Sequence, residues 1–231
     1  MGSMTLYRSN REVLSDRIFK ALRLQIITGQ LRPGDRIVEL RVAESFGTSQ
    51  APVREALQRL DHEGLVETIP HTGTFVSHMS FGEIEQLFEM RRFIEIASGK
   101  VLLRRARDSD VAALRTAYEN MRSAAQRGDL TELVTQDVEF HRLLIALADR
   151  KVFLRVWNTM DGQIRRFISH VSVKYFDEMI TLAERHEPIL EAIQTRHEDD
   201  LVRHLTEHLA LDESWRAFLR DIVDPLSSRE V

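Results

Sequence analysis

The residues with the clearest chemical potential are Asp137 and His141 in LVTQDVEFHRLL, His186 in ERHEPILEAI and His208 in LTEHL. At about 100° per residue, Leu130, Val134, Leu144 and Ala148 make one helical stripe, and Asp137 and His141 fall inside it, one turn apart. Met179, Leu182, Ala183, Ile189, Leu190 and Ile193 define a second stripe that contains His186. Leu201, Leu205, Trp215 and Leu219 define a third that contains His208. Three helical segments therefore aim one carboxylate and three imidazoles at one core. Each alone is ordinary: a core histidine usually satisfies its own hydrogen bonds, and an Asp four residues before a His is often a surface pair. Burying all four is costly unless something compensates, and a divalent cation compensates them together. The chain has no cysteine, which excludes disulfides and thiolate ligands, so a metal would rest on His and carboxylate alone. His204 lies at a stripe edge, and His62, His78, His170 and His197 lie off the stripes, as solvent-facing or structural residues.

A further stripe, Ile84, Leu87, Phe88, Ile94 and Val101, contains Arg91, with Glu95 one turn on. Two readings stand side by side. Arg91 and Glu95 form an internal ion pair that fixes the helix, or the Arg91 guanidinium reaches a carboxylate effector, whose planar oxygens it matches. Arg92 and the Arg104–Arg107 cluster fall outside the stripe, on a solvated face.

A second kind of chemistry is written in TSQAPVREALQRL, residues 48 to 60. Ser49 is placed to cap a helix starting at Gln50, with Pro52 in its first turn, where a missing N–H costs little. Val53, Leu57 and Leu60 then face inward, while Gln50, Arg54 and Gln58 face out. Gln and Arg are the side chains that make bidentate hydrogen bonds to base edges in the major groove. Upstream, Val38, Val42 and Phe46 at i, i+4, i+8 predict a short helix closed by Gly47. Downstream, Leu65–Ile69 and Thr74–Ser77 flank a Pro70-His71-Thr72-Gly73 turn and predict a hairpin wing. Helix, turn, helix and wing in that order make a DNA-reading unit.

The elements that must position these groups divide the 231 residues in two. Residues 1–78 read as a winged helix-turn-helix with a small β hairpin. Residues 79–231 read as an all-α bundle that opens with a Ser80/Glu83 capping box, so the fold class is mainly α. About six helical segments follow from periodicity, near 81–107, 109–127, 130–149, 152–173, 177–196 and 198–222. Residues 1–80 carry ten Lys+Arg against nine Asp+Glu. Phosphate contacts must therefore come from placed Arg, Lys and helix N-termini rather than bulk charge. No apolar run approaches the roughly 18 residues of a membrane span, and no charged-then-apolar leader precedes the first helix; the expected location is the cytoplasm, with no membrane partner. Met1-Gly2-Ser3 before Met4 resembles an expression scar.

The stretch GQLRPGDRIVELRVAESFGTSQAPVREALQRLDHEGLVETIPHTGTFV resembles the winged-helix domain of the GntR family of bacterial transcription regulators, over residues 11 to 78, with Pro52–Leu57 as its most specific part. The resemblance implies that Arg54 contacts a double-stranded DNA operator, helped by Ser49, Gln50 and Ala51, by Arg41, and by the wing at His71 and Gly73. Thr48, Gln50 and Leu40 depart from the family's usual Val, Arg and Arg, which alters the preferred base. Residues 80 to 225 are similar to the FCD effector domain of the FadR branch, with the six-helix count of the VanR-like subgroup. That likeness implies Asp137, His141, His186 and His208 as ligands to zinc, nickel or a similar divalent ion. Arg150 stands where the family often has Asn. The expected protein is a homodimeric, ligand-responsive regulator, a repressor on an inverted-repeat operator, released by a small organic acid held at the metal and Arg91. A metal-dependent enzyme is the rival from another class, with Glu95 as the one further carboxylate in a central stripe, and a regulator with a purely structural metal is the third reading.

Overall fold

A computed structural model of the chain describes residues 14–175 and 179–211. Its first unit has α1 (Leu14–Ile27), α2 (Glu39–Ser45) and α3 (Gln50–His62) beside a three-stranded antiparallel sheet of β1 (Arg36–Ile37), β2 (Val66–Ile69) and β3 (Gly73–Val76) in the order β1-β3-β2. Val53, Leu57 and Leu60 of α3 are buried as the periodicity predicts, against Ile18, Leu22 and Ile26 of α1 and Val66 and Val76 of the sheet. The sequence reading misses β1. Its two residues pair with Phe75 and Thr74, and so short a segment has no alternation to read.

Two local expectations are corrected here. Val38 is the N-cap of α2 and is 36% exposed, so the Val38–Val42–Phe46 stripe is incomplete and buried Ala43 is the residue that anchors α2. Ser49 is the N-cap of α3 but its hydroxyl makes no capping bond. Pro52 occupies the third helical position and has no N–H to donate there, which removes one of the two amides an N-cap hydroxyl can accept from.

The second unit runs from α4 (Phe81–Arg105), opened by the Ser80/Glu83 capping box, through α5 (Asp108–Gln126), α6 (Leu130–Leu147) and α7 (Lys151–Tyr175). It continues through α8 (Met179–Glu184), α9 (Glu187–Thr195) and α10 (Glu198–His208). One apolar cluster joins these helices, with Leu102, Met121, Phe140, Trp157, Ile193 and Leu205 fully buried. The single segment expected at 177–196 is two helices. Pro188 lies in the first turn of α9 and cannot continue the ladder from α8, so the chain restarts with His186 as N-cap. The segment expected at 198–222 gives a helix that ends at His208, with Leu209 as its C-cap buried in the core. Trp215 and Leu219 lie outside the described residues. Among those residues no helix is long and apolar enough to cross a membrane.

Candidate metal centre and nucleic-acid face

Asp137 and His141 come from α6, His186 from the α8–α9 junction and His208 from the last turn of α10. The break that the sequence reading missed therefore serves the site, since it sets His186 at a corner pointing inward. His141 Nε2 lies 3.1 Å from His186 Nε2 and 3.1 Å from His208 Nε2. Asp137 Oδ1 lies 3.3 Å from His186 Nε2. Asp137, His141 and His186 are buried, and the three imidazoles form a group able to hold a metal ion.

The other ring nitrogens decide what this arrangement needs. His141 Nδ1 sits 2.5 Å from Glu95 Oε2, and His186 Nδ1 sits 3.1 Å and 3.2 Å from the carbonyls of Leu182 and Ala183. Those partners are acceptors, so each Nδ1 carries the proton and donates it, which leaves a lone pair on each Nε2. Two imidazole lone pairs thus face each other at 3.1 Å, with the Asp137 carboxylate alongside. Acceptor against acceptor is repulsive unless a cation lies between them. Nearby, Asp137 Oδ2, His208 Nδ1 and Arg91 Nη2 are buried with no hydrogen-bond partner among the described residues. The donor set of three imidazole nitrogens and one carboxylate suits zinc or a neighbouring divalent ion.

The electrostatics favour the same species. Burial opposes ionisation of Asp137, but without a metal a proton on His186 Nε2, donated to Oδ1, with His141 and Arg91 behind it, holds its carboxyl at about 2; a divalent ion would take that proton's place. Burial lowers the pKa of His141 against the pull of Glu95. Burial, with His186, His141, Arg185 and Arg91, pushes His208 well below the ordinary imidazole value. Asp137 is thus held ionised and His141 and His208 are held neutral, the states a metal requires of its carboxylate and imidazole ligands.

Glu95 is the residue whose role in the centre the spacing does not reveal. It is fully buried, accepts from Arg91 Nε at 3.1 Å, and orients His141 from the far side, as carboxylates do behind metal-bound histidines. Burial works against its charge, but His141 and Arg91 hold it below the usual carboxylate range. The ion pair expected for Arg91 is therefore formed. Its guanidinium also lies 5.1 Å from the Phe88 ring centroid and 5.2 Å from that of Trp157, and the unpartnered Nη2 leaves a donor for a second group.

On the other unit, the outer face of α3 is exposed at Ala51 and Arg54 and half-buried at Gln50, with Ser49 and Arg41 also exposed. Arg54 donates from Nε to Glu39 Oε2 at 2.7 Å and from Nη2 to Gln50 Oε1 at 3.0 Å, so its guanidinium is held extended. At the wing tip, Thr72 N bonds Ile69 O, which places the turn at Ile69–Thr72, one residue earlier than expected. His71 occupies its third position at φ 62°, a conformation that costs a non-glycine residue about 1 kcal/mol and that projects the imidazole outward. Gly73 follows at φ 139° and lies against the Arg36 guanidinium, which donates to Thr72 O at 2.7 Å.

Comparison with known proteins agrees with both units. Residues 14–76 match the bacterial regulatory proteins of the gntR family, and residues 86–211 match the FCD domain. The chain is 27% identical over 207 residues to a probable D-xylose utilization operon transcriptional repressor of Paenarthrobacter nicotinovorans, covering 89% of this chain and 90% of the relative. It is 27% identical over 215 residues to the HTH-type transcriptional repressor RspR of Escherichia coli, covering 91% and 92%. The solved structure of E. coli McbR/YncC shares the fold with a TM-score of 0.75 at 19% identity, over 92% of this chain and 99% of that one. With a winged DNA-reading unit in front of an FCD domain, the chain belongs to the GntR family of bacterial transcription regulators and is not an enzyme.

Proposed function

We propose that the protein is a homodimeric repressor whose α3 reads an inverted-repeat operator and whose helical unit, from residue 79 onward, holds a divalent metal and a small carboxylate effector. Zinc or nickel is the expected ion, and Asp137, His141, His186 and His208 are its ligands. The observation that carries the reading is the pair of facing lone pairs at His141 and His186. With neutral imidazoles, a divalent ion and Arg91 outweigh the charges of Asp137 and Glu95, so the loaded pocket is net positive and favours an anion. A carboxylate would displace water from the ion and take the free Nη2 of Arg91. The named relatives are transcriptional repressors, one of them the probable repressor of a D-xylose utilization operon, which supports the repressor reading.

The dimer surface is an exposed apolar patch on α4 and α7. Phe93 is 65% exposed, Val152 60% and Met90 45%, and Phe93 contacts Phe153 with ring centroids 6.3 Å apart. Glu89 on α4 and Lys151 and Arg155 on α7 are exposed beside it. A two-fold axis through the patch would set the acidic edge of one copy against the basic edge of the other. The bound operator would then carry the same symmetry.

The test is to select the operator from a randomised DNA pool with zinc-loaded protein, then titrate it against a panel of small carboxylates. The expected site is an inverted repeat that at least one acid releases from wild type. Arg91→Ala should keep DNA binding and lose the release, with Arg91→Lys as a folded, charged control. Release of Arg91→Ala at the same acid concentration would place the anion elsewhere.

A further inference from the structure

One helix touches both the pocket and the DNA-reading unit. Trp157 of α7 is fully buried, with the Arg91 guanidinium 5.2 Å from its ring centroid and the His141 ring 6.3 Å away. Nearly three turns on, Phe167 packs edge-on against Phe88, the other aromatic ring beside Arg91, at 4.8 Å. Between and beside these residues, α7 holds the first unit at Asp161, Gly162, Gln163 and Arg166. Asp161 pairs with Arg23 of α1, which also grips Glu63 at the C-terminal end of α3 at 2.7 Å. A Cβ on Gly162 would fall 2.8 Å from Leu65 Cδ1, so α7 and the turn after α3 touch without slack. Gln163 donates to Gly64 O, and Arg166 donates to Ser77 Oγ at 3.2 Å, whose hydroxyl in turn donates to Gly64 O at 2.6 Å. Arg166 is only 6% exposed and its guanidinium donates to this serine, so it fixes the end of the wing.

We propose that α7 transmits the state of the pocket to the DNA-reading helix, with Trp157 as the receiving residue and Gly162 and Arg166 as positioning residues at the turn after α3. The inference rests on the metal-centre reading above and names its regulation. A ligand that draws on Arg91, or an ion that tightens His141 and Glu95, moves the group stacked against Trp157. A helix passes axial and rolling displacements along its length, and Trp157 and Gly162 lie only about 7 Å apart along the axis. At Gly162 no gap exists to absorb the motion, so the Glu63–Leu65 turn follows, and α3 with it.

Amide hydrogen exchange on the full chain tests this with zinc as the probe, free of any need to know operator or effector. Gly64 N bonds Asp61 O and Leu65 N bonds Leu60 O, both at 2.9 Å, so both amides report on the turn. In wild type, zinc should change their exchange by about tenfold, within the usual range for coupled sites. Gly162→Ala wedges the contact, and Arg166→Met keeps the volume but removes the donor. Each should bind zinc as wild type does, which also shows it is folded, while the zinc-dependent change at Gly64 and Leu65 disappears. Zinc binding that alters α6, α9 and α10 but leaves those two amides unchanged in wild type overturns the inference, as does a full response in both variants. A wild type that binds no zinc instead overturns the metal-centre reading on which it stands.

Discussion

His141 carries constraints at both ring nitrogens, from Glu95 at Nδ1 and from two further imidazoles at Nε2, so its chemistry follows from atoms rather than from burial alone. Because His141 and His208 have lowered pKa values in the fold, the unfolded chain takes up protons first as pH falls below about 6.5. Metal-free protein should therefore lose stability on acidification from that point down. Asp137 adds a further loss between its ordinary value and about 2. Denaturant titrations across pH check the sign, and a stability that rises on acidification through this window would contradict it. On the DNA side, Arg54→Ala should weaken operator binding by about 1–3 kcal/mol without unfolding the chain. Its side chain is 62% exposed and its intramolecular partners, Glu39 and Gln50, can turn to water. His71→Gly should raise thermal stability, since it relieves about 1 kcal/mol of backbone strain, and lower operator affinity if the imidazole contacts DNA. Equal affinity would make the strained turn a purely structural feature. The four ring-and-carboxylate positions were legible in the sequence because helical periodicity places each on an apolar stripe. The bond from Glu95 to His141 was not, because it joins helices 46 residues apart and no local pattern encodes which helices meet.

The helices show where periodicity suffices and where it fails. The bounds of α4, α5 and α6 follow from capping signals and apolar stripes, and the structure places them within a few residues of the expectation. The α8–α9 break escapes because the stripe runs through it without interruption: Leu182, Ala183, Ile189 and Leu190 are all buried, and only Pro188 marks the discontinuity. A second contact sets where α10 lies. Gly99 of α4 meets α10, and a Cβ there would lie 2.9 Å from Leu201 Cδ2 and 3.6 Å from Leu205 Cδ1. Gly99→Leu should cost about 1–3 kcal/mol by overpacking and push α10 outward, taking His208 with it. Thermal melts and zinc content measured together should both fall. A stability loss with undiminished zinc would show that His208 does not depend on this crossing.

At the scale of the molecule, two units with separate apolar clusters meet along α7 through polar contacts and the close approach of Leu65 to Gly162, a junction that couples them without merging their cores. The family was legible from one run, Pro52–Leu57, whereas the apolar patch proposed to join two copies was not, since exposure of Met90, Phe93 and Val152 depends on which helix faces stay uncovered. Phe93→Asp should convert the dimer to a monomer by light scattering and abolish cooperative operator binding, while a dimer that persists would place the two-fold axis elsewhere. The central claim, that the buried imidazoles and Asp137 enclose a cation, is tested most directly by metal analysis of protein purified without chelators, wild type beside His186→Ala and His208→Ala. The account predicts about one divalent ion per wild-type chain and a clear loss of both metal and thermal stability in each variant. Equally little metal in all three would contradict it and reduce the cluster to a buried polar network.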